Sequence, residues 1–492
     1  MNDIASAFLA TATSRADKPA LFWGESRFGY GHYRDQVLGT AALLKARGIR
    51  PGDRVAVWLK NCPEFVGAMF GVLAADAVLV PINNFLKPAE AAYMLEDAGI
   101  DWIIAEENHA GLPELRTLRP GLQVLPAGSL PTAPAAIPAP SRGGDDLAVL
   151  IYTSGTTGHP KGAMLSHRNL LENVASCRSF LELTEDDRLV VLLPMFHSFM
   201  LTVGLLLPLL SGASVVAVQG LHSPKQMIAE ILQNRGTLLP AMAALFRALS
   251  QIPAGIEFTS LRLCVSGAGP LPMEILHAFQ ARHPKVPLIE GYGLSEASPV
   301  VTVNPPRDPK AGTIGVPIPG VEVTVQDDHG NHLPDGIDGE ICVRGANVML
   351  GYWNAPAKTA ETLRGGWLLT GDIGHRRPDG WFVITDRKKD MLKPNGMNVY
   401  PREIEEVIYR FPGIREAAVV GEPCERRGER AVAFVAMDEG RSLDEHAFLA
   451  FLKESLADYK VPRRAVVLPA LPRNATGKIL KTALREIVAR GN

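Results

Sequence analysis

Residues 151–167 read IYTSGTTGHPKGAMLSH. An apolar run, LAVLIY, enters a stretch of small and hydroxyl residues, Thr153, Ser154, Gly155, Thr156, Thr157 and Gly158, and Lys161 follows. Glycines let backbone N–H groups close around phosphate oxygens, the hydroxyls add donors, and the lysine supplies a point charge. The implied chemistry is the holding of a polyphosphate. The spacing is not GxxxxGK[ST], so this is not a Walker A loop. An isolated GTTG is an ordinary turn between strands; the full seventeen-residue string carries more than that.

Five further strings follow in order: SGAGP at 266–270, EGYGLSE at 290–296, TGD at 370–372, DRKKD at 386–390 and PRNATGK at 472–478. Together with the phosphate string they resemble, in content and order, the signatures of the adenylate-forming superfamily. That superfamily includes acyl-CoA synthetases, luciferases and peptide-synthetase adenylation domains. The resemblance covers nearly the whole chain. It implies that Thr153 to Gly158 and Lys161 hold the ATP phosphates, and that Gly267, Ala268, Gly269 and Pro270 pack on adenine. It makes Glu290, Gly291, Tyr292, Gly293, Ser295 and Glu296 the adenine and magnesium motif. Ser295 stands where the family usually has threonine; the hydroxyl is kept. Asp372 is implied as the ribose ligand, Lys389 as an interdomain hinge and Lys478 as the catalytic lysine. CoA-facing residues are expected just after the hinge, at Gly396 and Asn398.

The residue types suit those roles. A carboxylate attacking the α-phosphate of ATP is an anion meeting an anion, so the site must neutralise charge. Glu296 and Thr156 offer oxygens to Mg²⁺, which prefers oxygen ligands and phosphates. Lys478 can bridge carboxylate, ribose and α-phosphate oxygens as charge develops. Asp372 can accept both ribose hydroxyls, with Arg387 supporting from the hinge side. Alone, Asp372 reads as a turn residue and Lys478 as a solvated surface lysine; the ordered context overturns both.

Substrate class rests on less. PMFHS at 194–198 matches the family segment beside the acyl carboxylate, which makes Phe196 and His197 acyl-site candidates. A lone histidine here also fits a satisfied core position. Amino-acid-activating relatives place an aspartate nearby, and this segment has none. The strings KGAMLSHRNLLEN and GMNVYPREIEEV look most like medium- to long-chain fatty acid–CoA ligases. The apolar run 199–210 suits an acyl tunnel or ordinary core packing equally. The expectation is an ATP-dependent fatty acid–CoA ligase with Mg²⁺ as cofactor. The alternatives are an aryl-acid ligase, an acyl-carrier-protein ligase, and a nucleotide-binding regulator without catalysis.

Positioning these residues requires a large scaffold. The chain has 492 residues, enough for two or three domains. Strand and helix signals alternate through the first 120 residues: strands at 54–59, 78–83 and 101–105, helices at 63–77 and 87–98. Such alternation implies parallel sheets covered by helices. A proline-rich stretch, 125–142, reads as a surface connection, after which the alternation resumes. Between 312 and 383 short β-rich runs separated by Gly, Pro and Asp imply a small antiparallel sheet or barrel. Beyond 386 a smaller unit begins. It has an amphipathic helix at 401–411, strands at 415–420, 430–437 and 465–468, and a capping-box pattern of Ser442 and Glu445. The expected fold is α/β: an N-terminal domain over 1–386 with βα-layered sheets and a β-rich subdomain, and a mobile α+β C-terminal domain over 387–492.

Composition bounds the rest. Lys+Arg 50 against Asp+Glu 52 gives a net charge of −2, which argues against nucleic acid or an anionic membrane as the main partner. Five dispersed cysteines without ligand spacing read as free thiols in a reducing compartment. The N-terminus shows no secretory h-region, so the expected location is cytoplasmic, with loose membrane association through an apolar substrate. The uncharged run 189–218 is long enough to span a bilayer, but Pro194, His197, Gly204, Pro208 and Gly212 are expected to break it into buried core elements. Oligomeric state is open, a homodimer included.

Overall fold

The structure is a computed structural model. It describes residues 3–138, 140–153, 160–219, 223–253, 255–394, 397–424, 428–473 and 478–490. Among these residues two large sheets dominate. One runs, in spatial order, Gly351–Tyr352, Lys161–Ser166, Leu147–Thr153, Val78–Pro81, Arg54–Trp58, Trp102–Ala105 and Gln123–Pro126. The other runs Val316–Pro317, Val300–Val303, Leu288–Gly293, Leu263–Ser266, Leu238–Ala241, Arg188–Val191, Ser214–Ala217, Pro19–Trp23 and Ser26–Gly29. Both are parallel through their middles; the nine-stranded sheet is antiparallel at both ends, and the seven-stranded sheet only at the Gly351–Tyr352 end, its Gln123–Pro126 end being parallel.

The core lies between the two sheets. Val55 and Val57 from one sheet, and Leu189 and Val191 from the other, share a single apolar cluster. Their neighbours Ala56 and Trp58, or Val190 and Leu192, point to the opposite faces and pack in separate clusters. That split is the two-residue period of a strand buried on both sides. Helices Tyr30–Ala46, Pro63–Ala74 and His167–Phe180 contribute to the shared cluster. Pro63–Ala74 is buried along almost its whole length, which accounts for its apolar character on every face. Pro63 opens it at the first turn, where its missing N–H costs nothing.

The uncharged 189–218 run is buried core and is broken, as expected, into the strand Arg188–Val191, a helical run over 200–211 and the strand Ser214–Ala217, but it is not broken at Gly204 or Pro208. Met200–Leu206 is a π-helix that continues directly into the α-helix Leu207–Ser211. Gly204 and Pro208 therefore sit inside one helical run. The wider turn, with the Leu207 N–H reaching back to the Thr202 carbonyl, makes room for the ring of Pro208 and its absent donor. A Cβ at Gly204 would lie 3.1 Å from both Met200 Sδ and Val191 Cγ2, so glycine lets the helix lie against the strand Arg188–Val191. Among the described residues no helix is long and apolar enough to cross a membrane.

Residues 321–387 form the expected antiparallel sheet, with Val321–Gln326, Gly339–Gly345, Trp367–Arg376 and Leu363–Arg364 in order and Phe382–Arg387 on Trp367–Arg376. Further on, Ile414–Cys424 and Gly428–Met437 pair antiparallel, and Ala465–Val467 adds in parallel. The helix Glu445–Ser455 is capped by Asp444, whose carboxylate accepts the Ala447 N–H at 3.1 Å, and not by Ser442. Glu445 instead accepts the Ala465 N–H. A carboxylate one residue before the helix outcompetes a hydroxyl two residues further out.

Candidate active site

Strands Leu147–Thr153 and Lys161–Ser166 are antiparallel neighbours with Thr153 opposite Lys161. The phosphate string is thus the connection of a hairpin, and Thr153 and Lys161 are its two feet. Among the described residues, the next helix begins at His167, beyond the second strand. Ser154, Gly155, Thr156, Thr157 and Gly158 lie outside the described residues.

Leu263–Ser266 and Leu288–Gly293 run in parallel side by side, with Ser266 opposite Glu290. Their carboxyl ends deliver residues 267–270 and 291–296 to the same edge, the place where open parallel sheets bind ligands. A Cβ on Gly267 would meet the Phe199 ring at 3.0 Å, so the loop after Ser266 lies directly on the segment that follows His197. Ala268 takes the left-handed region at φ +63. A Cβ on Gly293 would lie 2.0 Å from the Pro299 carbonyl oxygen; only glycine fits that crossing. The chain then turns through the short 3₁₀ helix Ser295–Ala297. Ser295 Oγ lies 2.9 Å from Ser198 Oγ. The hydroxyl kept at this position therefore ties the nucleotide motif to the acid segment.

Glu296 is half-buried. Its Oε1 accepts the Tyr352 hydroxyl at 2.8 Å, and its backbone carbonyl accepts the Met349 N–H at 2.9 Å. Tyr352 belongs to the last strand of the seven-stranded sheet, so Glu296 is aimed by an element over 50 residues away in sequence. No signal in the sequence marks Tyr352.

Asp372 and Arg387 face each other across two antiparallel strands. The Arg387 guanidinium pairs with Asp372 Oδ1 at 2.9 Å, and the Tyr292 hydroxyl donates to Asp372 Oδ2 at 2.7 Å. Asp372 is only 3 % exposed, and both its oxygens have partners. Lys478 comes from the C-terminal unit into the same neighbourhood. Burial pushes its ammonium down to about 8; Arg387 acts in the same direction and Asp372 against it. His197 is pushed down to about 4, by burial first and then by Lys478. The structure therefore brings Lys478, Asp372, Arg387 and His197 together. His197 is neutral at neutral pH, and its Nδ1 accepts the Phe199 N–H at 3.3 Å. Phe196 is buried and meets the exposed Phe85 ring edge to face at 6.5 Å.

Glu290 faces elsewhere. Its carboxylate accepts the Leu271 N–H at 3.3 Å and lies 3.8 Å from Arg402 of the C-terminal unit. Burial raises it to about 7, with Arg402 opposing. Lys389 is exposed in the turn after Phe382–Arg387, and Asn398 is exposed beside the bridge between Leu392 and Val399. Gly396 lies outside the described residues.

Residues 8–353 match the model of the AMP-binding enzyme family, and residues 403–478 match that of the AMP-binding enzyme C-terminal domain. A feruloyl-CoA synthase from an Amycolatopsis species is 37% identical over 94% of this chain and 94% of its own. A long-chain-fatty-acid–CoA ligase from Bacillus subtilis is 33% identical over 96% of this chain and 92% of its own. The crystal structure of an anthranilate CoA ligase in complex with anthranoyl-AMP superposes with a TM-score of 0.92, at 28% identity, over 99% of this chain and 97% of that one. With the hairpin feet Thr153 and Lys161, the paired strand ends and half-buried Lys478 in place, the chain belongs to the AMP-binding enzyme family of the adenylate-forming superfamily and is an AMP-forming acid–CoA ligase.

Proposed function

We propose that the enzyme activates apolar monocarboxylic acids, fatty acids first among them, in two half-reactions served in turn by two faces of its C-terminal unit. In the first, a carboxylate oxygen attacks the α-phosphorus of ATP and pyrophosphate leaves with the electrons of the broken anhydride bond. In the second, the CoA sulfur attacks the acyl carbon and AMP leaves. The observation that carries this reading is Lys478, half-buried beside Asp372, Arg387 and His197. A cation there can stabilise the charge that develops on the α-phosphate. Asp372 would release Tyr292 and Arg387 in favour of ribose hydroxyls, and neutral His197 would orient the acid without adding charge.

Mg²⁺ supplies neutralisation of the triphosphate when bound. Glu296, with Thr156, would hold it. A half-exposed carboxylate with one oxygen already oriented by Tyr352 fits a hard cation that takes one or two protein oxygens and the rest from phosphate and water. Among the described residues no cluster of three or more His, Cys, Asp or Glu forms a closed cage, in keeping with a site completed by phosphates.

The C-terminal unit is taken as residues 387–492, with its hinge at Lys389 and the N-terminal domain over 1–386. Gly396 and Asn398 would face CoA after rotation, and the exposure of Asn398 in this pose supports that. ATP and CoA as co-substrates put the reaction in the cytoplasm.

The fatty-acid reading is supported by the Phe196–Phe85 pair, which continues an apolar lining outward to a ring that is 63 % exposed. One observation favours an aryl acid instead. Met200, Leu201, Leu205 and Leu206 are packed into the core, so that helix face offers no long tunnel. Pyrophosphate release with octanoate, palmitate and 4-coumarate, with and without CoA, tests the choice. Preference for the two alkyl acids is expected; preference for 4-coumarate selects the aryl reading. Holo-acyl-carrier protein replacing CoA at equal concentration tests the acceptor, and CoA is expected to win.

A further inference from the structure

We propose that Arg402 is a positioning residue for adenylation: from the C-terminal unit it compensates the buried Glu290 carboxylate and so holds that unit, with Lys478, over the nucleotide face. The inference rests on the proposed alternation of the C-terminal unit and names what holds one of its two poses.

The helix Pro401–Ile408 has two working faces. Ile404, Val407 and Ile408 pack into the unit's own core. Arg402 and Glu406, four residues apart and so neighbours on a helix surface, turn to the N-terminal part. The Arg402 guanidinium lies 3.8 Å from Glu290 Oε1. The Glu406 carboxylate takes the Met273 backbone N–H, at the first residue of the helix Met273–Arg282. At its own backbone, the Arg402 N–H donates to Asp386 Oδ2 at 2.8 Å, while the Arg387 N–H donates to Oδ1 at 2.6 Å. One residue therefore touches both the buried carboxylate and the aspartate beside Arg387.

Burial decides which contact across this interface matters. The Arg402 and Glu290 side chains are 19 % and 7 % exposed. Arg247 and Asp438 also pair across it, at 2.8 Å, but Asp438 is 38 % exposed, and exposed pairs contribute little. A buried carboxylate stripped of its cation is costly, and rotation of the C-terminal unit strips Glu290 of Arg402. Burial and the Glu406 carboxylate raise Glu290, and Arg402 opposes both. The pair exists in the pose that presents Lys478 and not in a pose that turns it away. It therefore biases the equilibrium toward adenylation.

The test measures the two half-reactions separately: pyrophosphate release without CoA, and thioester formation from supplied acyl-adenylate. Arg402→Gln is expected to slow adenylation about tenfold or more, the usual scale for breaking a buried pair, and to leave thioester formation within about twofold. Arg402→Lys keeps the charge and is expected to stay within about threefold of the parent, since lysine lacks only the planar fork. On a Glu290→Gln background, where no charge needs compensating, Arg402→Gln is expected to cost less than about threefold further, the signature of coupled residues. Equal loss of both half-reactions in Arg402→Gln, or additive loss in the double variant, overturns the proposal. Should Arg402→Gln not fold, Arg402→Met, which keeps the aliphatic stem and removes the charge, takes its place in the same measurements: slowed adenylation with intact thioester formation supports the pair, and equal loss of both overturns it. Lys478→Ala run alongside separates the two ideas. If it loses both half-reactions equally, alternation itself fails. If it separates them and Arg402→Gln does not, only the role of Arg402 falls.

Discussion

In the proposed first half-reaction Lys478 would act only while it carries its proton. Burial among cations holds it at about 8, so it is charged below that pH and neutral above it. Adenylation kcat/KM of the free enzyme should therefore fall as pH rises through about 8. Thioester formation from preformed adenylate should lack that limb, because the lysine is then elsewhere. A flat adenylation profile to pH ~10, near the ordinary lysine value, would remove the lysine from the charge-stabilising role. Lys478→Ala should cost adenylation ~10²-fold or more, in line with deleting one preorganised donor. Glu296 gives a second prediction at this scale. Glu296→Gln should slow adenylation sharply and raise the Mg²⁺ requirement. Tyr352→Phe, which keeps the ring and removes the hydroxyl that orients Glu296, should raise the Mg²⁺ requirement about tenfold, the low end for loss of a ligand's supporting hydrogen bond. Isothermal titration of MgATP against ATP alone reads the same effect without turnover; identical titrations for parent and variant would contradict it.

At the scale of elements, the site depends on where strands stop. Leu288–Gly293 must end and reverse within a few residues to present Ser295 and Glu296, and the Pro299 carbonyl crosses directly over Gly293. Gly293→Ala forces backbone against backbone. It should destabilise the fold by about 1–3 kcal/mol, the range for overpacking, and depress adenylation more than that stability loss explains. Thermal melting together with pyrophosphate release checks this; an unchanged Tm would mean that the turn relaxes freely. The helical run 200–211 shows the same dependence from the other side. Its π-turn, Gly204 and Pro208 let it lie against Arg188–Val191 while Phe199, just before it, reaches Gly267. Phe199 and Gly267 meet because a helix and a strand end were brought within contact.

For the whole molecule, the proposed alternation divides the labour between a large platform and a small unit that would move over it. Lys389 lies exposed in the turn between them. Proline there fixes φ and restricts the residue before it. Lys389→Pro should make acyl-adenylate at near the parent rate and stall before the thioester. Trapping of enzyme-bound acyl-adenylate by rapid quench is the measurement, and unimpaired thioester formation would show that rotation does not pivot at this residue. Such gating between half-reactions is a domain motion on the microsecond to millisecond scale, which a single backbone restriction can abolish.

Strands, helices and motif order were legible in the chain because they are local properties. Alternating apolar runs marked Arg54–Trp58 and Trp102–Ala105 closely, Pro63 marked its helix start, and the turn-rich 312–383 segment became an antiparallel sheet. Asp372, Lys478 and the strand ends before 267–270 and 291–296 were singled out by the ordered strings that resemble the family's, not by residue type alone. What local pattern does not encode is which groups meet across hundreds of residues. Tyr352 on Glu296, Ser198 on Ser295, Tyr292 on Asp372 and Arg402 beside Glu290 are pairs made by sheet order and by the docking of one unit on another. The capping of Glu445–Ser455 by Asp444 and the continuity of the helix through Pro208 were decided by competition among neighbours that a pattern cannot rank. Ionisation follows the same division. A lysine at about 8 and a histidine at about 4 are consequences of burial, and burial exists only once the chain is folded.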